Sequence, residues 1–149
     1  MSAEIRRDFV DSNVLIYAHD RSAGAKRAVA QELLHRLWLE RTGCLSVQVL
    51  QEFYMNITRK IPNPMSSPDA LGAVQNYSAW TTHSPDGADV VAAIRLHHAV
   101  QLSFWDAMVV HSALCLRCSV LWTEDLNDGQ QIQGLRVINP FRSHLDKGN

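Results

Sequence analysis

Four acidic residues give this 149-residue chain its clearest prospect of chemistry: Asp11, Glu52, Asp106 and Asp125. Taken singly, each has an ordinary role. Asp11 begins Asp11-Ser12-Asn13 ahead of the apolar Val14-Leu15-Ile16-Tyr17, and any of the three polar residues suits the cap of a short helix. Glu52 shares a helical face with Gln48, Asn56 and Arg59, the spacing of a solvated polar side. Asp106 follows Ser103 at capping-box spacing, and Asp125 falls with Asp128 in the turn-like stretch Thr123-Glu124-Asp125-Leu126-Asn127-Asp128-Gly129. The context of Asp106 argues for more. It lies between Phe104-Trp105 and Ala107-Met108-Val109-Val110, with no lysine or arginine between Arg95 and Arg117. A carboxylate desolvated there wants a cation, either a metal or a basic side chain from a distant part of the chain.

Gathered together, such carboxylates repel one another, and some titrate upward unless positive charge intervenes. Mg²⁺ or Mn²⁺ supplies that charge through oxygen ligands and keeps positions open for water and phosphate oxygens. A site of this kind acidifies water and stabilises charge on a phosphodiester under attack. Donors that are all acids, without an organised histidine, favour magnesium or manganese over zinc.

The elements predicted from periodicity give two of the acids a common address. Residues 6–10 read as a first strand entering the polar turn at Asp11. Residues 23–41 are helical, with Ala30, Leu33, Leu34, Leu37 and Trp38 at three- and four-residue steps, and Gly43 is placed to stop that helix as a left-handed cap. A brief strand at 44–46 precedes a helix over 47–60. Pro62, Pro64 and Pro68 mark a loop, followed by helices from Ser67-Pro68-Asp69 to about Trp80, over 86–98 and over 104–117. Residues 119–122 and 135–138 read as short buried strands. Strands separated by helices predict a parallel sheet covered on both faces, and ligands bind such sheets outside the carboxyl ends of the strands. Asp11 and Asp125 each fall just past a strand end.

Composition sets the frame. The length suits one domain, 1–149, with one core. With 46 % hydrophobic and 19 % charged residues the chain reads as globular. No apolar run reaches the roughly 18 residues of a membrane span, and charges stand where a secretory signal would be apolar, so the expectation is a cytoplasmic protein. The net charge of −1 gives no general nucleic-acid footprint, so any basic surface is local.

Four motifs in order resemble the PIN domain: Asp11-Ser12-Asn13 after the first strand, Glu52 on a following helix, Phe104-Trp105-Asp106-Ala107 opening a late helix, and Leu121-Trp122-Thr123-Glu124-Asp125 after the next strand. The ending Gly134-Leu135-Arg136-Val137-Ile138-Asn139-Pro140-Phe141 is similar to that family's last strand. The resemblance covers roughly residues 6–141, and length and motif order look most like the VapC-type toxins of bacterial toxin–antitoxin pairs. It implies a three-layer α/β/α sandwich with a mostly parallel sheet, and Mg²⁺- or Mn²⁺-dependent endonucleolytic cleavage of RNA. It also implies that Asp11, Glu52, Asp106 and Asp125 bind the metal. Ser12 and Thr123 then support the site through their hydroxyls, Asn13 belongs to the same triplet, and Glu124 and Asp128 are alternatives to the fourth acid or its helpers. A cognate antitoxin that inserts a peptide into the site, and a homodimer, follow from the same likeness. The family often has an aromatic residue after the fourth motif, where this chain has Gly129. Competing readings are a catalytically silent PIN-like binding module and a structure-specific DNA phosphodiesterase.

The remaining signals read as structural. Cys115 and Cys118 form a C-x-x-C without a second cysteine pair to complete a zinc site. His97-His98 and His111 have no acid at matching ligand spacing. Arg6-Arg7 and Arg59-Lys60 read as solvated surface before phosphate contacts, and Trp105 as a packed residue before a stacking platform. Trp38, Phe53, Tyr54 and Trp80 are aromatic residues available to either the core or an interface.

Overall fold

The computed structural model describes residues 6–142; residues 1–5 of the Met1–Arg7 start, which bears on the expectation of a cytoplasmic protein, lie outside them. The elements follow in the order β1 (Asp8–Val10), α1 (Ser12–His19), α2 (Ala25–Glu40), β2 (Gly43–Ser46), α3 (Val47–Arg59), α4 (Ser67–Tyr77), β3 (Thr81–His83), α5 (Gly87–Val100), α6 (Phe104–Cys115), β4 (Val120–Trp122), β5 (Gln131–Ile132) and β6 (Leu135–Ile138). Their six-stranded sheet has the order β3-β2-β1-β4-β6-β5, parallel except for the β5–β6 hairpin.

The chain runs outward from β1 through β2 to β3, then returns to β4 on the other side of β1. Right-handed crossovers therefore put α1 to α4 on one face and α5 and α6 on the other, and the packing of α1 with α2 and α3, α3 with α4, and α5 with α6 agrees. This is the α/β/α sandwich expected. The short strands are covered on both faces: Phe9, Val10, Leu45 and Leu121 are fully buried. Parallel pairing brings Val10 opposite Trp122, so β1 and β4 end level. Asp11 and Thr123 thus emerge side by side at the carboxyl edge.

Helix α1 begins directly after Asp11, and Asp11 is its N-cap, one of the three the sequence offered. Local readings change elsewhere. The edge strand β3 is too short and polar to show a period. Gly43 does not cap α2; Arg41 takes the left-handed conformation with φ 57° instead. Gly43 lies inside β2, where a Cβ would stand 2.4 Å from Cζ3 of Trp80. The Trp80 ring is held by Trp38 and Tyr77, at centroid distances of 6.0 and 5.9 Å. Glycine is there for close approach.

Gly43→Ala is therefore expected to destabilise the fold by about 1–3 kcal/mol, read as a lower urea midpoint. Placed in a Trp80→Leu background the same change should cost less, since the clashing ring is gone. Equal costs in both backgrounds would refute the packing argument.

Candidate active site at the carboxyl edge of the sheet

Asp11 is the buried centre of the site, only 5 % exposed. Its Oδ1 accepts the Ser12 amide at 2.8 Å, and its Oδ2 accepts the Thr123 hydroxyl at 2.9 Å. Thr123 Oγ1 also accepts the Asp125 amide at 3.1 Å, which fixes the start of the loop carrying that acid. Asn13 Nδ2 stands 3.0 Å from Thr123 Oγ1, 3.2 Å from Asp125 Oδ2 and 3.4 Å from Asp11 Oδ2. One hydroxyl and one amide thereby tie the first acid to the last. Ser12 contributes its main-chain N–H to Asp11, where a hydroxyl contact had been expected.

Glu52 reaches the same place from α3, which Ser46 caps by accepting the Val49 amide. Asp106 comes from the first turn of α6, where Ser103 caps the helix through the Asp106 amide. Gln48 Nε2 donates to the Trp105 carbonyl at 3.3 Å and clamps these two helix starts together. The four acids feel one another. Burial pushes Asp11 up to about 7, with repulsion from Asp125 and Glu52 adding to it against the Ser12 and Thr123 hydrogen bonds. Burial raises Glu52 as well, reinforced by Asp125 and Asp106 and opposed by Gln48. Asp125 is raised by burial first and then by Asp106 and Glu124, with Asn13 opposing.

No basic side chain among the described residues pairs with these acids. Among the described residues the ion pairs involve Asp8, Glu124 and Asp89, and none involves Asp11, Glu52, Asp106 or Asp125. Glu52 Oε1 is buried without a hydrogen-bond partner among the described residues. An orphaned carboxylate oxygen among other acids, with hydroxyl and amide groups orienting them, fits a hard divalent cation. Asp11, Glu52, Asp106 and Asp125 are the residues able to hold it.

Two neighbouring acids are drawn elsewhere. The Glu124 carboxylate accepts from Tyr17 and pairs with Lys26 at 2.9 Å. Asp128 Oδ1 accepts the Asn139 amide at 2.8 Å and closes the C-terminal turn. Of the three candidates for the fourth acid, the geometry joins Asp125 to the others. Gly129 adopts φ +86° and donates to the Val137 carbonyl at 2.8 Å, so the loop turns at a position that disfavours the family's aromatic residue.

Trp105, in the first turn of α6 next to Asp106, is 64 % exposed, contrary to the packed position expected. Arg6 and Arg7 are taken up by Asp8 and by the Leu116 carbonyl. His111 does have an acid: Asp89, on another helix, lies 2.8 Å away. That partnership crosses elements, so spacing within one segment could not reveal it. Clefts lined by Trp38 and Trp80 and by His19 and Tyr77 lie among the described residues and include none of the four acids.

With Asp11 raised in the folded state, that state holds a proton the unfolded chain has released between about pH 4 and pH 7. Stability of the metal-free protein must then fall as pH rises through that window. In chelator, Asp11→Asn should exceed the wild type by on the order of 1 kcal/mol at about pH 8 and lose the advantage near pH 4. Urea midpoints at the two pH values check this; parallel pH profiles would contradict it.

The pattern of the PIN domain family matches residues 9–128. No curated protein sequence matches the chain significantly. Similar solved structures include a toxin–antitoxin complex from Klebsiella pneumoniae, 18 % identical with a TM-score of 0.67 over 89 % of this chain and 97 % of that one. Mycobacterium tuberculosis VapC20, described as a sarcin–ricin loop cleaving toxin, is 17 % identical with a TM-score of 0.62 over 79 % and 91 %. DNA-bound VapBC from Salmonella typhimurium is 18 % identical with a TM-score of 0.61 over 89 % and 96 %. The family pattern spans the strand, helices and loop that carry all four acids, and the chain belongs to the PIN domain family.

Proposed function

We propose that the chain is a divalent-metal-dependent endoribonuclease, acting in the cytoplasm as the toxin of a toxin–antitoxin pair, with Mg²⁺ or Mn²⁺ held by Asp11, Glu52, Asp106 and Asp125. The observation that carries the reading is that four acids at one sheet edge repel one another, have no ion-pair partner among the described residues, and include a buried Glu52 oxygen with no hydrogen-bond partner there. Membership of the PIN family and the likeness to an RNA-cleaving toxin support it.

A bound cation supplies the positive charge that keeps the acids ionised and polarises both the phosphodiester and water. The chain does the placing. Thr123 and the Ser12 amide fix the plane of Asp11, and Asn13 holds Asp125 at the distance set by Thr123. Asp125, the most open of the four, receives the proton as a water oxygen bonds to phosphorus and the opposite phosphorus–oxygen bond breaks. Exposed Trp105 offers its face to an unpaired base beside the scissile bond, which favours single-stranded substrate. An open edge admits a polymer where an enclosed cavity would not.

Partners are read from surface and likeness together. The Klebsiella and Salmonella relatives are solved as toxin–antitoxin complexes. Tyr54 and Met55 on α3 with Leu71 on α4, and Val90, Val91 and Ile94 on α5, expose apolar side chains suited to an antitoxin and to a second copy of the chain. Phe53, by contrast, is core. No helix among the described residues is long and apolar enough to cross a membrane.

Incubation of antitoxin-free protein with single-stranded RNA and DNA oligomers, with Mg²⁺ or Mn²⁺ and with chelator, tests the proposal. RNA should be cut only with metal, and Asp106→Asn should slow cutting by about 10²-fold or more. Trp105→Ala should raise KM more than it lowers kcat. Cleavage of DNA alone would point to the phosphodiesterase, and binding without cleavage in any metal to the silent module.

A further inference from the structure

Away from the acids, His83, Asp89, His111 and Cys115 meet between the end of β3, the first turn of α5 and the C-terminal half of α6. His83, Asp89 and Cys115 form the one group among the described residues in which three such side chains bring donor atoms within 4.8 Å of one another. His83 Nε2 lies 3.5 Å from Asp89 Oδ2, and Cys115 Sγ lies 3.7 Å from Asp89 Oδ1. His111 Nε2 completes the set at 2.8 Å from Asp89 Oδ1 and 3.3 Å from Cys115 Sγ. We propose that these four residues form a structural zinc site, separate from the acidic edge.

The donor set carries the choice of metal. Two imidazoles, a thiol and a carboxylate suit borderline-soft Zn²⁺ and not Mg²⁺. A tetrahedral zinc ion with bonds of about 2.0–2.3 Å holds its donors roughly 3.3–3.6 Å apart. The His83 Nε2–Asp89 Oδ2 and His111 Nε2–Cys115 Sγ separations already lie in that range; the short His111–Asp89 hydrogen bond has to open, and Asp89 has to present one oxygen to all of its partners. His111 and Cys115 stand four apart on α6, so they share a face, while His83 and Asp89 come from other elements.

The support around the ligands is also present. His83 Nδ1 is 2.8 Å from the hydroxyl of Ser112, which is fully buried. With Nδ1 donating to that hydroxyl, Nε2 turns its lone pair toward the Asp89 carboxylate, an arrangement that calls for a cation between them. Asp89 Oδ2 is oriented in turn by the Asp86 amide at 2.9 Å. Cys115 donates to Asp89 Oδ1 and His83 Nε2 faces Asp89 Oδ2, so both already converge with His111 on the one carboxylate. Zinc there would tie the β3–α5 connection to the helix whose first turn carries Asp106.

Cobalt is the probe, because a thiolate bound to Co²⁺ gives a near-ultraviolet charge-transfer band and a tetrahedral site gives intense visible bands. The reduced, metal-free full chain should show both with one equivalent of Co²⁺, Zn²⁺ should bleach them, and Mg²⁺ should leave them. Asp106→Asn should keep the bands. Cys115→Ser, a change at an exposed position, should lose the charge-transfer band, and His83→Ala should bind Co²⁺ about tenfold or more weakly. Zn²⁺ should raise the melting temperature of the wild type and not of folded Cys115→Ser. Absence of the bands in the wild type, or their persistence at full affinity in either ligand variant, would overturn the site.

Discussion

A carboxylate buried at the end of the central strand, given hydrogen-bond donors but no basic partner among the described residues, is the constraint on which the functional edge depends. Asp11 occupies that position because β1 lies between β2 and β4 and ends level with β4. Its burial is what pushes its carboxyl up to about 7. The fold bears this cost with the Ser12 amide and the Thr123 hydroxyl, which restrain Asp11 without neutralising it. Every other group at the edge is arranged about that residue.

The arrangement separates positioning from charge. Thr123, Asn13, Gln48 and the capping serines 46 and 103 set where the acids stand, through contacts that link β4, α1, α3 and α6. The acids themselves oppose one another and weaken the metal-free fold, since each raised carboxylate favours the unfolded chain at neutral pH. Under the proposed function, stability is given up at the place where the cation binds. Glu124 and Asp128 show the contrast: both are acids in the same loop, and both are satisfied by ordinary partners, Lys26 and the Asn139 amide.

Much of this was legible in the sequence. The parallel sheet follows from β-branched runs separated by helical periods, and the apolar flanks of Asp106 without a nearby cation already marked that acid. Asp125 could be told from Glu124 and Asp128 only in three dimensions, because the distinction rests on Asn13 reaching across from α1. Strand β3 was hidden because Thr81-Thr82-His83 lies at the sheet edge, where pairing to β2 rather than burial makes the strand. Gly43 misled because its role is to admit the Trp80 ring, a contact 37 residues away in the chain (80 − 43). The cluster at Asp89 was hidden for the same reason: His111 and Cys115 have ligand spacing on one helix, but their partners arrive from β3 and α5.

The central claim is that the four acids act as one cation site, and Mn²⁺ binding followed by electron paramagnetic resonance tests it most directly. The wild type should bind Mn²⁺, Asp11→Asn and Asp106→Asn should each weaken binding by about tenfold or more, and the double variant should bind no more weakly than the worse single one. Undiminished binding in either single variant, or losses that simply multiply in the double, would contradict a shared site.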